Sequence, residues 1–561
     1  MKIFTNVKIT TILCGACLLS GTMAYAQEPA RHGQLSGSYE TNTIWYYPDE
    51  TIYNSTNRFP EDRLGSNNYL KLDYSLGKFS AGVQGEFYAP VLQGYPEQYK
   101  GAKFTNKFVG WTDDNFFITV GDFYDQYGSG LIFRSYEDRA LGINTAVEGV
   151  KAGMNFGNTF AIRAMLGRPR LYFQYAPSFL RGADASLSLS SLFGFESQYL
   201  AIEGSYLSQY DIARTEALDA EGHSILSADM NAWSARVVYE ALGFSGRLEL
   251  VGKSPSNYIH NGEYVPHFGR GQLLELGYSG YGWGISLTAR NISYMEMLLT
   301  ASKDVQYLGL GNTLNSLPSL TRQYTYNLAN LSPYQVKPKG DRSVQLDVFY
   351  NIAKKTKLGG KYGTKLHVNA SIAQKPASVL FEYRNFQSQE EADKMEYAYV
   401  DANFDIEKQW NKKFKTTALF AFQRLRGETN SNLLINRYII VADGLYKFTP
   451  TQSLRVEMQY LYSPFAAAEG TSSRDNYDTG DWWAFGLEYG IAPRFSFFVT
   501  DMYNFQREQV HYYNVGMSYT QARTRIALSY GRSRAGFVCS GGVCRNMPGY
   551  AGFNLSLTSS F

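Results

Sequence analysis

The residue types best suited to chemistry are few and scattered along the chain. His260, Glu263 and His267 lie within NYIHNGEYVPHFG. Two imidazoles and a carboxylate suit a transition-metal ion if they converge. Their spacing fits no regular metal-binding pattern, and Gly262 and Pro266 leave the shape of the stretch open, so no metal site is assigned. RDNYDTGDWW gathers Asp475, Asn476, Asp478 and Asp481, hard oxygen ligands of the kind that hold calcium. They are not at EF-hand spacing and read as a solvated loop. Of six histidines, His367 falls beside Asn369 on the polar face of a strand, and His511 opens another. A hydrolase would set a nucleophile against such a histidine, and none is evident in the sequence around either. No glycine-rich phosphate loop leads from a strand into a helix. Neither an enzyme nor a cofactor is expected.

CSGGVC closes the list, with Cys539 and Cys544 near the end of the chain. On an exported protein paired cysteines oxidise to a disulfide. The alternative is a redox or soft-metal site with Arg545 favouring a thiolate. The disulfide is the favoured reading, and its short ring stabilises only modestly.

Residues 121–144, GDFYDQYGSGLIFRSYEDRALGIN, are different. Gly128 and Gly130 permit a sharp turn back, and Arg134, Glu137, Asp138 and Arg139 bring both charge signs into six residues. Folded into a channel, such a cluster would set its width and electrostatics. The connection at 293–342 is also long enough to fold inward, but the first segment is preferred.

These residues must be positioned by strands. The chain opens with Lys2 and Lys8, an apolar run, and Ala24-Tyr25-Ala26 before Gln27. This pattern is a secretory signal peptide over residues 1–26, which leaves residues 27–561 as the mature chain. No other stretch approaches the length of a spanning helix. Beyond it the sequence alternates. Leu70, Leu72, Tyr74 and Leu76 are interleaved with Lys71, Asp73 and Ser75; Leu454, Val456, Met458 and Tyr460 with Arg455, Glu457 and Gln459. A period of two places one apolar and one polar face on each strand. Charges on the second face exclude a dry interior there.

Short turns alternate with long polar connections, such as 47–67, 209–230, 253–270, 293–342 and 463–481. That asymmetry suits a transmembrane β-barrel, with short periplasmic turns and long extracellular loops. Aromatics at 16%, with 45 Tyr and 35 Phe, suit the girdles at both lipid–water boundaries. The fold expected is all-β: one large antiparallel barrel of an even number of strands, about 24 within a range of roughly 20 to 26. The first strand follows so soon after Gln27 that no plug domain is expected. The ending GFNLSLTSSF is the last strand. Its Phe553, Leu555, Leu557 and Phe561 resemble the terminal signal read by the barrel-assembly machinery. Net charge is +3 before the signal's lysines are removed, which gives no case for nucleic acid.

The stretch from Gly121 through Val150, together with CSGGVCR, resembles an uncharacterised family of outer-membrane barrels from Bacteroides-type bacteria, a domain of unknown function. The resemblance implies a barrel in the Gram-negative outer membrane, with the lipid bilayer as its surroundings. It supplies neither substrate nor catalytic residues. The functional expectation is a passive or weakly selective, porin-like solute channel narrowed by 121–144. The alternative is a non-transporting barrel, blocked inside, that serves as a subunit of a complex with surface lipoproteins or other outer-membrane proteins. A surface enzyme ranks third.

Overall fold

In the computed structural model the chain forms a closed antiparallel barrel of 24 strands. It describes residues 33–561 apart from 56, 220, 261–262, 303–311, 382–385, 427–433, 465–479 and 507, and apart from the side chains of 257–260 and 263–264. The expected signal peptide, 1–26, lies outside the described residues. Neighbouring strands are neighbours in sequence, and the ring closes where Gln34–Tyr46 pairs with Tyr550–Ser560. Across that seam Trp45 lies opposite Phe553 and Ser38 opposite Ser560. The backbone of Phe561 continues the ladder, exchanging two hydrogen bonds of 2.9 Å with Gly37.

Alternation decides which side chains face outward. Leu70, Tyr74, Phe104, Val120, Met458 and Leu555 are exposed on the outer surface, where a barrel of this kind meets lipid. Aromatic rows mark both ends of that apolar belt. At one end Trp45, Phe553 and Tyr530 stand in register on adjacent strands. At the other, Phe79 faces Trp111, Trp283 faces Tyr350 and Phe495 faces Tyr519. Aromatic rings with a polar edge or tip suit such a boundary.

The two ends of the barrel differ in their connections. One carries tight turns, including Gly77-Lys78 and Leu242-Gly243. Gly77 and Gly243 take positive φ there, +58° and +83°, the conformation a two-residue hairpin requires. The other end carries the long connections. The expected loop at 253–270 is instead mostly strand: Phe244–His260 and Glu263–Gly280 continue as a long hairpin. Alternation fails to announce it because the register shifts between Lys253 and Ser256 and Pro255 and Pro266 interrupt the pattern. Among the described residues the helices are single short turns, such as Leu189–Phe193 at the turn end and Gln389–Asp393 at the loop end.

The hydrophobic core sits inside the lumen, in its loop-end half. Its largest cluster joins inward wall residues such as Met165, Leu180, Leu207 and Val251 to residues from the two long connections, including Leu131, Phe133, Met295 and Leu314. A second cluster places Leu328, Ala329 and Leu331 against Leu419, Ile439, Val441, Leu461 and Trp482.

Candidate functional site in the barrel lumen

Residues 124–146 turn into the lumen directly after the strand Phe116–Phe123. Gln126–Tyr127 pairs with Phe133–Arg134 in a miniature hairpin, turning through Gly128 and Gly130 at φ +55° and +92°. The tip presses on the wall: a Cβ on Gly128 would collide with Glu249 Oε1. Ser129 N–H donates to Glu249 Oε2 at 3.1 Å. Tyr127, Leu131, Ile132 and Phe133 are buried beneath it.

The four charged residues singled out from sequence follow this hairpin, and the structure ties them to protein partners. Arg134 donates to Ser316 Oγ at 3.2 Å and lies over the Tyr136 ring. Glu137 accepts from Gln84 Nε2 at 2.7 Å. Asp138 accepts the Leu141 N–H at 3.0 Å. Arg139 pairs with Glu40 at 2.7 Å and with Glu137 at 3.4 Å, and its guanidinium covers the Tyr69 ring at 4.3 Å. Behind them is a pair that the sequence did not single out. Arg170 grips Glu86 through two hydrogen bonds of 2.7 and 2.8 Å, both residues being buried. Thr105 and Gln84 satisfy the same carboxylate. The only sequence signal was that Glu86 occupies an inward position of its strand.

Residues 294–302 and 312–339 form a second inward segment, which locks onto the first. Arg134 N–H donates to Leu314 O at 2.8 Å, and Ser316 N–H to Gly130 O at 3.0 Å. The Asn315 amide bridges Leu131 O and Met295 O at 3.0 and 2.7 Å. The segment then reaches the far wall. Arg322 joins Asn403 and Asp405, Tyr324 donates to Asp401 at 2.6 Å, and Tyr334 donates to Asp341 at 2.5 Å. Gln423 holds Ala329 O at 2.9 Å. Burial, reinforced by the carboxylates they bond, raises the Tyr324 and Tyr334 phenols far above their usual range, so both remain neutral donors. Both long connections therefore fold inward, not only the one preferred from sequence.

The disulfide hairpin is a third inward element. Gly536–Ser540 pairs with Val543–Met547, and Cys539 and Cys544 are bonded across it. Gly542 O accepts from Ser319 N–H at 3.3 Å. Arg545 donates to Leu141 O at 2.7 Å and to Gly94 O, with its guanidinium over Tyr95. That guanidinium is engaged by carbonyls, and the hairpin contacts both larger segments.

One stretch of wall is only partly covered. A cavity of about 340 Å³ lies between Asn327, Asn330 and Leu331 of the second segment, the hairpin at 534–538, and the inward face of the strands that close the ring. A second, of about 220 Å³, lies toward the turn end and is lined by Arg455, Glu457, Glu488, Ser496, Ser518 and Arg525. Thr500 lines both, so the two stand in series along one wall.

The remaining candidates are spread around the barrel. His267 stacks on Tyr294 at 4.1 Å, whereas the side chains of His260 and Glu263 lie outside those described. Asp475, Asn476 and Asp478 lie outside the described residues. Asp481 accepts from Tyr460 Oη at 2.9 Å and Ser463 N–H at 3.0 Å. His367 is held in the lumen between Asp347 and Asp405, at 2.7 and 3.1 Å. His511 pairs with Asp501 at 2.7 Å, beside Tyr503. Among the described residues no hydroxyl bonds the second nitrogen of His511. A group that spacing alone did not flag is Asp219, Glu221 and His223, whose ligand atoms lie within 4.8 Å of one another on an exposed loop.

Residues 6–561 match the family of unknown function DUF6029. The chain belongs to that family. Nothing among the curated proteins matches it. Among solved structures this DUF6029 barrel is similar to the usher PapC translocation pore, at 11% identity and a TM-score of 0.39, covering 94% of this chain and 99% of that one. It is also similar to the copper transporter OprC, at 10% identity and a TM-score of 0.39, covering 95% and 84%. A BenF-like porin from Pseudomonas fluorescens Pf-5 matches at 9% identity and a TM-score of 0.35, covering 74% and 98%. Similarity at this level assigns no role to the DUF6029 barrel.

Proposed function

We propose that the chain is an integral outer-membrane barrel that passes small hydrophilic solutes passively and with weak charge selectivity. The observation that carries this reading is the pair of neighbouring cavities that share Thr500 in their linings. They lie along the inward face of the strands Phe495–Asn504 to Thr524–Ser533, where the described inward segments leave space. The closed ring and its apolar outer belt support the membrane location, since a closed barrel leaves no unpaired strand edge in lipid. The short turns then face the periplasm and the long loops the exterior. Occlusion of the rest of the lumen comes from the chain's own loops, with Arg134, Glu137, Asp138 and Arg139 fixing the first segment in place.

Weak selectivity follows from charge pairing. Arg455 is neutralised by Asp443 at 2.7 Å and Glu457 at 2.5 Å, and Lys71 by Asp73 at 3.2 Å. A wall on which both signs occur, Arg455, Glu457, Glu488 and Arg525 together in the second cavity, attracts water without strongly favouring one sign of ion. We read the barrel as non-catalytic, with His367 and His511 serving as ion-pair partners. We further propose that the terminal strand ending at Phe561 is what the barrel-assembly machinery engages.

A second reading is favoured by the apolar packing inside the lumen: a non-transporting barrel that presents its loops to surface lipoproteins or other outer-membrane subunits. Single-channel conductance in a planar bilayer decides between them, using the intact chain and a variant lacking residues 129–144. Steady conductance in the intact barrel that rises on deletion supports the channel. Silence in the intact barrel with large conductance after deletion supports the blocked interaction barrel. Silence in both defeats the channel reading.

A further inference from the structure

The larger cavity differs from the rest of the lumen in what its polar side chains do. Elsewhere, amides hold the inward segments. Asn315 bridges two carbonyls, Gln423 holds Ala329 O, and Gln209 holds Leu298 O and Leu299 O at 2.9 and 2.8 Å. Around the cavity stand four amides, Asn327, Asn330, Asn514 and Asn554, and three hydroxyls, Thr500, Ser529 and Ser533. Among the described residues none of these seven side chains hydrogen-bonds another protein group. They come from five separate places in the chain, so no single turn or strand explains their convergence.

The charged groups nearby have partners of opposite sign, with Arg534 Nε 3.6 Å from Glu508. Arg532 pairs with Asp49 at 2.7 Å, and His511 with Asp501 at 2.7 Å. Tyr512 gives its hydroxyl to Glu508 at 2.7 Å, and its ring, like that of Tyr550, borders the cavity.

We propose that this cavity is a binding site for a small, uncharged, polyhydroxylated solute of the short-saccharide class. The inference rests on the channel reading and names the solute that the channel would carry. Each amide offers two donors and an acceptor, and each hydroxyl a donor and an acceptor. Adjacent hydroxyls on a sugar ring present the same mixture. An anion would need unpaired donors carrying positive charge, and a cation unpaired carboxylates. The aromatic borders suit the C–H faces of a pyranose, which are apolar while its rim is polar. At about 340 Å³ the cavity falls at the small end of ligand-pocket volumes.

The test is isothermal titration calorimetry of the full-length barrel in detergent with maltotriose, gluconate and triglycine as separate probes. Maltotriose is expected to bind saturably and the other two far more weakly. Replacing one amide, as Asn514→Ala or Asn554→Ala, removes one or two hydrogen bonds and is expected to weaken maltotriose by about fivefold or more. Heat-dependent gel mobility checks that each variant is a closed barrel. Absence of saturable maltotriose binding by a closed barrel overturns the proposal. Variants that bind as tightly as the native chain overturn it as well. Gluconate binding equally well overturns the preference for neutral solutes, and triglycine binding better than maltotriose makes the site a peptide site. Binding without conductance would leave the site standing and remove the channel. Conductance without binding would do the reverse.

Discussion

The covered wall and the bare wall of the lumen are built from the same residue types and do opposite things with them. On the covered wall, in the loop-end half of the strands from Leu64–Leu76 round to Trp482–Ile491, many inward polar groups end on loop carbonyls, hydroxyls and guanidiniums. Inward apolar groups meet Leu131, Met297 or Leu328. On the bare wall, from Phe495–Asn504 to Tyr550–Ser560, amides and hydroxyls face a cavity. The difference lies in partners rather than composition. A buried amide must be hydrogen-bonded and, where the protein supplies the partner, becomes a clamp; the half-buried or exposed amides around the cavity leave that place to water or a solute.

The covered side is most vulnerable at the buried Arg170–Glu86 ion pair. Glu86→Ala leaves the Arg170 guanidinium buried without its carboxylate and is expected to cost about 3–5 kcal/mol, read by urea unfolding of the barrel in lipid vesicles. If Glu86→Ala costs under about 1 kcal/mol, the network does not anchor the first segment. Leu131→Ala, which removes a side chain from the middle of the packed lumen, is expected to cost about 2–5 kcal/mol and to raise conductance. Stability lost with unchanged conductance would mean that the covered side is structural only.

A smaller effect sharpens the bare side. Burial would raise the Asp49 carboxyl, but the hydrogen bond and charge of Arg532 outweigh it and hold the group below its usual range. A carboxyl depressed in the folded state contributes stability above its unfolded pKa and loses it as pH falls through the folded value. Acidification to below the ordinary carboxyl range is therefore expected to loosen the loop at 47–63, read by amide hydrogen exchange, and Arg532→Gln is expected to abolish that pH dependence. The smallest effect belongs to His511→Ala. Its exposed pair with Asp501 is expected to contribute about 0.5 kcal/mol or less, and a loss of several kcal/mol would show that the pair is structural.

The outer face of the barrel was readable in the sequence because lipid imposes one rule on every strand. The inner face was less so because its rule changes with what stands opposite. Tyr438, Ile439, Ile440 and Val441 run apolar on both faces, which signals that the lumen side of that strand is packed. The packing partners, Leu328 and Leu331, lie far away in sequence, in a segment without strand periodicity. Arg134 and Arg139 were legible as a charged cluster, but the partners that fix them, Ser316, Glu40 and Gln84, come from three other connections or strands. The bare-wall amides gave no signal at all, since asparagine in a polar position reads the same whether or not it is hydrogen-bonded.

Phe561 bonds back to Gly37, where a Cβ would meet its ring at 2.5 Å. The cavity leans on the last strand of the ring, through Tyr550 and Asn554. One strand thus serves two structures at once: Tyr550–Ser560 seals the ring against Gln34–Tyr46 and supplies a side of the cavity, so unzipping that seam would open both together.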